Sequence, residues 1–201
     1  MDRILKSISF IFHPLFMPLF GVMFYFTRSP RFIPEEIIKA KLISLFILTI
    51  ILPILLFFLL KTLGKVKSIN LHTTKERIFP LILNSIVILL VLQRIITPNQ
   101  SIELYFFFLG ALISTLSCLI LAIMKFKASI HMIAASGLFM FFIALSIHFN
   151  ININGTLAIM CIILGAIATS RLHLKAHTYK ELIMGVFVGM LPQLLLVNYW
   201  L

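Results

Sequence analysis

Apolar residues along this chain gather into long blocks instead of recurring on one helical face or alternating. Seven of the blocks approach the roughly 20 residues that a helix needs to cross the hydrocarbon core. The pattern predicts spanning helices over about 8–27, 41–61, 79–96, 104–123, 132–149, 155–169 and 182–200. The sixth block is short for a full span, and an earlier start through Ile151, Asn152, Ile153 and Asn154 is expected to lengthen it. Pro14, Pro18, Pro53 and Pro192 fall inside these blocks and are read as kinks, since neighbouring helices or water satisfy the freed carbonyls.

The polar connections are 28–40, 62–78, 97–103, 124–131, 150–154 and 170–181, and three of them, 62–78, 124–131 and 170–181, hold most of the ionisable side chains. Two helices separate the first of these from the second, and two more separate the second from the third. All three must therefore emerge on one face. Connections 97–103 and 150–154 contain no Lys, Arg or His, and Glu103 is their only ionisable group. A one-sided site built from non-adjacent loops suits work on a lipid headgroup, whereas a conduction pathway would place polar residues at mid-membrane depth.

Composition agrees with an integral membrane protein. Of 201 residues 61% are hydrophobic and 11% charged, and the mean hydropathy is +1.13, which excludes a soluble globule with an ordinary polar surface. No repeat or Gly/Ser-rich linker divides the chain, so an all-α, polytopic transmembrane bundle of six to seven spanning helices is expected, as a single integral-membrane domain over 1–201. The formal charge of +11 sits in short loops beside apolar blocks, which favours anionic headgroups or a phosphate-bearing lipid over nucleic acid. Cys118 and Cys161 lie singly inside apolar blocks, without the paired spacing of a metal site or a disulfide. The N-terminal apolar run offers no convincing small-residue cleavage site and is read as a retained helix.

The first polar cluster holds Lys75 and Arg77 just before Pro80, a residue suited to starting a helix. Such cations can bind a phosphate, although this cluster taken alone is read first as a juxtamembrane basic patch held by anionic lipid. The second cluster places Ser129 and His131 where the fifth helix begins and main-chain N–H groups face an anion. In the third, Ser170 and Arg171 precede His177 and Glu181, which are four apart and on a helix share one face. A carboxylate that accepts one imidazole N–H leaves the other ring nitrogen as a nucleophile or base. Arg171 offers planar donors for two phosphate oxygens. A capped helix carrying a surface ion pair is the plainer reading of that segment. His173 is a loop residue within reach of a headgroup, and His13, His72 and His148 are read as interface or intrahelical polar contacts.

These residues resemble the motifs of the type-2 phosphatidic acid phosphatase and vanadium haloperoxidase superfamily. Ser-Arg, five residues, His, three residues and an acid match its third motif, with Glu181 where the family usually has Asp. Ser129 and His131 resemble its Pro-Ser-Gly-His motif, and Lys75, Arg77 and Pro80 look like a degenerate form of its Lys, six residues, Arg-Pro motif. The resemblance covers about 60–201. It implies a phosphatidic acid phosphatase type 2-like core in which His177 attacks phosphorus, Glu181 orients its ring, and His131 protonates the leaving oxygen and then activates water. Lys75, Arg77, Ser129 and Arg171 would bind the phosphoryl oxygens, with no metal and no cofactor. The substrate implied is a lipid phosphate or pyrophosphate monoester whose tail stays among membrane lipids. The chain departs from the family at Ile130, where a Gly is usual, at Ala128, in place of a Pro, and at Asn70, where the first Lys is expected.

Of the 17 Lys and Arg residues, 12 lie on the cluster side and 5 on the other, so the positive-inside rule places the clusters in the cytoplasm, at what is expected to be a bacterial cytoplasmic membrane. The departures motivate an alternative: a catalytically degenerate lipid-binding or scaffolding protein of the same fold. A small transporter is a third reading, motivated by seven spans in a short chain.

Overall fold

The computed structural model describes residues 2–66, 71 and 73–201, so Lys67, Asn70 and His72 lie outside the described residues. The described chain is an all-α bundle. Seven of its helical segments are long and apolar enough to cross a membrane: Arg3–Arg28, Glu35–Thr62, Thr74–Arg94, Ile102–Ile123, Ile130–His148, Asn154–His173 and Tyr179–Tyr199. That is consistent with a multi-pass membrane protein.

The first span is broken in the middle. Helix α1 (Asp2–Ile11) is followed by a single 3-10 turn, Pro14–Phe16, and then by α2 (Met17–Arg28). Pro14 has no N–H to continue the α1 ladder, and His13 caps the turn by accepting the Leu15 N–H on Nδ1 at 3.4 Å. The second span runs from α3 (Glu35–Phe46) through a wide π-helical turn, Ile47–Ile51, into α4 (Leu52–Thr62). Pro53 cannot donate to the Thr49 carbonyl and its ring crowds that oxygen. A locally widened ladder relieves the conflict.

Helix α5 (Thr74–Arg94) starts six residues before Pro80. The expectation that Pro80 opens this helix is therefore corrected: the Thr73 hydroxyl does so, accepting the Glu76 N–H at 3.3 Å. Helices α6 (Ile102–Ile123) and α7 (Ile130–His148) follow. The sixth span, α8 (Asn154–His173), gains its length at the end opposite to the one expected. Ser170, Arg171 and His173 form its last turn, where the negative end of the helix dipole favours cations. The loop expected over 170–181 thus shrinks to 174–178, and His173 is helical, not a loop residue. Helix α9 (Tyr179–Leu196) and a 3-10 turn, Val197–Tyr199, complete the bundle.

Little hydrophobic driving force separates helix from lipid in a bilayer, so close packing and interhelical hydrogen bonds hold such a bundle. Both are seen along α9. A Cβ on Gly189 would collide with the Ile133 carbonyl and the Ser136 hydroxyl, and one on Gly185 would stand 2.9 Å from the Ser129 carbonyl; only glycine lets α9 lie this close to α7. Ser136 Oγ donates to the Val186 carbonyl at 3.2 Å, Ser114 Oγ to the Val188 carbonyl at 2.9 Å and Gln193 Nε2 to the Phe107 carbonyl at 2.9 Å. Stacked Phe107 and Phe141, 4.3 Å between ring centres, fill the middle of the bundle. The α7–α9 seam fixes the start of α7 against the start of α9, and the polar residues meet there.

Candidate functional site

Each of the three polar connections ends at a capped helix start. Thr73 caps α5, Ser129 caps α7 and Thr178 caps α9, so three helix N-termini with their partial positive charge face one end of the bundle. The connections are tied to one another directly. Arg77 Nη1 donates to the Ala128 carbonyl at 2.7 Å, Lys127 Nζ to the Ala176 carbonyl at 3.0 Å, and the Ser129 N–H to the Glu181 carbonyl at 3.1 Å. The three clusters do converge.

The turn between α8 and α9 follows from its residues. Lys175 takes a left-handed backbone, φ 49°, and the Ala176 N–H closes back on the Arg171 carbonyl at 3.0 Å, the six-to-one bond that ends many helices. Three residues later α9 opens with a capping box: the Glu181 N–H donates to Thr178 Oγ1 at 3.4 Å and the Thr178 N–H to Glu181 Oε2 at 2.9 Å. His177 precedes the cap. Its Nδ1 lies 3.1 Å from the same Oε2, so the pair meets through the capping box and not along one helix face. The carboxylate accepts only, which places the ring proton on Nδ1 and leaves Nε2 with its lone pair.

Burial, reinforced by the nearby Arg77, Arg171 and Lys127 cations and opposed by Glu181, lowers the His177 pKa to about 4. The ring is therefore neutral at physiological pH. Burial likewise lowers the Lys127 pKa, with Arg77 adding to the effect. His177 lines a shallow depression of about 400 Å³ together with Lys127, Leu172, Lys175, Ala176 and Glu181.

The remaining sequence-predicted residues are placed unevenly. Arg171 is buried, its Nη1 3.5 Å from Ser9 Oγ, and its Nε has no hydrogen-bond partner among the described residues. Arg77 is buried too, and its Nε and Nη1 are taken by the Leu71 and Ala128 carbonyls. Ser129 is buried with its hydroxyl turned to the Met132 N–H at 3.5 Å. His131 is turned toward α1, with Nε2 3.2 Å from the Ser9 carbonyl and its ring edge-on to His13 at 5.4 Å. Lys75 is exposed, and at two residues from Arg77 it points to another side of α5. It is not brought into the cluster.

Sequence reasoning missed Ser9 and His13, which the broken first span brings against Arg171 and His131. It also passed over Lys127 as a site residue, although that lysine precedes Ser129 by two positions. Thr178 had a readable signal in the Thr-Tyr-Lys-Glu capping pattern.

No protein-family model, curated protein or solved structure matches the chain.

Proposed function

We propose that the protein is a membrane phosphatase that hydrolyses a lipid phosphate monoester through a phosphohistidine. The observation that carries this reading is an imidazole held on Nδ1 by Glu181 at 3.1 Å, with the Arg77, Arg171 and Lys127 cations near it. A neutral nucleophile among fixed cations is what attack on a phosphate dianion requires, because most of the barrier is met by positioning and charge stabilisation.

In the first step Nε2 of His177 forms a bond to phosphorus while the bond from phosphorus to the lipid oxygen breaks, and His131 gives that oxygen a proton. In the second, His131 takes a proton from water, whose oxygen bonds to phosphorus as the P–N bond breaks. Inorganic phosphate leaves and His177 is restored. Arg171, with Nε free of any described partner, takes phosphoryl oxygens, and Lys127 joins it at the rim. The resemblance of Arg171, His177, Glu181, Ser129 and His131 to the type-2 phosphatidic acid phosphatase motifs supports the assignment. The site faces the cytoplasm on the charge count.

The full-length protein in lipid nanodiscs is expected to release phosphate from short-chain phosphatidate or a polyprenyl phosphate, and His177→Asn to abolish release. Turnover unchanged in that variant would remove the mechanism.

A second reading, a non-catalytic binder of anionic lipid on the same fold, is favoured by one observation: His131 Nε2 and the Ser129 hydroxyl are both engaged with the protein itself. It predicts Arg171-dependent lipid binding without hydrolysis across a substrate panel.

A further inference from the structure

The end of the cluster next to Arg171 is closed by the protein's own N-terminal helix. Ser170 Oγ donates to the Leu5 carbonyl at 2.6 Å. That commits the Ser170 proton, so the 2.6 Å contact between Ser9 and Ser170 is donated by Ser9. A lone pair of Ser9 Oγ is left facing Arg171 Nη1 at 3.5 Å. The Ser9 carbonyl, whose intrahelical donor is lost because α1 stops before Pro14, accepts from His131 Nε2 at 3.2 Å instead. One residue of α1 thus presents an acceptor oxygen to the buried arginine and another to the imidazole expected to serve as the general acid.

The fit to Arg171 is incomplete. The 3.5 Å contact is at the limit of a hydrogen bond, and Arg171 Nε, on a side chain that is nine-tenths buried, has no partner among the described residues. A buried guanidinium left short of acceptors is costly, and a phosphoryl group with several charged oxygens would satisfy it better than one hydroxyl. A hinge lies next to Ser9: the chain is not α-helical between Ile11 and Met17, and Pro14 keeps it so. A released α1 also has a destination. Arg3 and Lys6 are exposed beside exposed Ile4, Phe10 and Ile11, the mixture that settles at a membrane surface.

We propose that α1 is a displaceable plug: Ser9 holds the places that a substrate phosphoryl group and its leaving oxygen take against Arg171 and His131, and substrate binding swings α1 out about the Phe12–Pro14 break. This rests on the phosphate-site reading above. It assigns to the N-terminal helix a regulatory role, in which the resting enzyme keeps its cations covered and opens when a lipid phosphate competes for them.

The test uses full-length protein carrying Cys161→Ser, which removes the exposed native thiol while Cys118 stays buried. Adding Ser9→Cys and Ser170→Cys allows a disulfide that pins α1 closed, and binding of short-chain phosphatidate is measured before and after reduction. The closed form is expected to bind at least tenfold more weakly than the reduced form. With Ser9→Cys alone, saturating phosphatidate is expected to speed reaction of the introduced thiol with a charged, water-soluble reagent. Equal binding by the closed and reduced forms, or protection of the thiol by phosphatidate, would overturn the plug while Arg171→Ala still weakened binding in the parent protein. Phosphatidate binding that Arg171→Ala leaves untouched would instead remove the phosphate site, and the plug with it.

Discussion

Glu181 Oε2 lies 3.1 Å from His177 Nδ1 and 2.9 Å from the Thr178 amide, so a single carboxylate oxygen both closes a helix cap and orients the imidazole. The two duties separate on substitution. Glu181→Gln keeps an acceptor for the Thr178 amide, as capping boxes allow, but removes the charge that favours the productive ring state. It is expected to lower kcat by roughly 100-fold with little change in thermal unfolding. Thr178→Ala should do the reverse, costing about 1 kcal/mol of stability with a smaller effect on kcat. Unfolding curves and steady-state kinetics on the same preparations check both.

Under the proposed mechanism, the lowered pKa of His177, about 4, sets where activity is expected to fall with acid. The proposed nucleophile must be unprotonated, so kcat/KM, which reports the free enzyme, is expected to stay level down to pH 5 and fall toward pH 4. An ordinary histidine would show the fall near its reference value of about 6.5. Folding is linked in the same sense: the native state resists a proton that the unfolded chain accepts, so stability present above the unfolded value is lost as pH drops toward 4. Lys127→Met removes one of the repelling cations and should move the acid limb upward. An unshifted limb would show that Lys127 does not act on the ring.

Much of this was legible in the chain itself, because apolar block length fixes the number of spans and their parity puts 62–78, 124–131 and 170–181 on one side. The Ser129, Arg171, His177 and Glu181 positions could be picked out because they are ionisable or polar groups at span edges. The Ser9 to Ser170 contact could not. It joins residues 161 apart in sequence, and nothing local distinguishes Ser9 from Ser7. The bend that directs Ser9 inward depends on Pro14, which reads in sequence as one more kink. Helix ends were misplaced for a related reason: Arg171 and His173 look like loop residues by polarity, yet a helix keeps its hydrogen bonds into the headgroup region, and its C-terminal end accommodates cations.

Glu103, the one ionisable residue expected in its connection, is fully buried at the start of α6. It accepts from Tyr25 Oη at 3.1 Å and Arg31 Nη2 at 2.6 Å, and His148 Nε2 lies 3.1 Å away. This ties the first span and the segment after it to α6 and α7. Glu103→Ala leaves the Tyr25 hydroxyl buried without its partner, whereas half-exposed Arg31 returns to water. The expected loss is about 2 kcal/mol of stability, read as a lower unfolding midpoint. Because the cluster lies across the bundle from His177, kcat below that midpoint should be unchanged.

Arg77 holds two carbonyls from different connections, Leu71 through Nε at 3.2 Å and Ala128 through Nη1 at 2.7 Å. A planar guanidinium can serve both at once, and the single ammonium of lysine cannot reproduce that fork. Arg77→Lys keeps the charge that helps depress the His177 pKa but frees the 124–129 turn, which carries Lys127 and Ser129. The expected result is a fall in kcat/KM of tenfold or more, with the acid limb still near pH 4. Arg77→Met also removes the charge, so its limb should move up as well. If the two variants share one pH profile, Arg77 acts on His177 only by positioning; if Arg77→Lys is fully active, its bonds to Leu71 and Ala128 are dispensable, and charge alone is what the site takes from it.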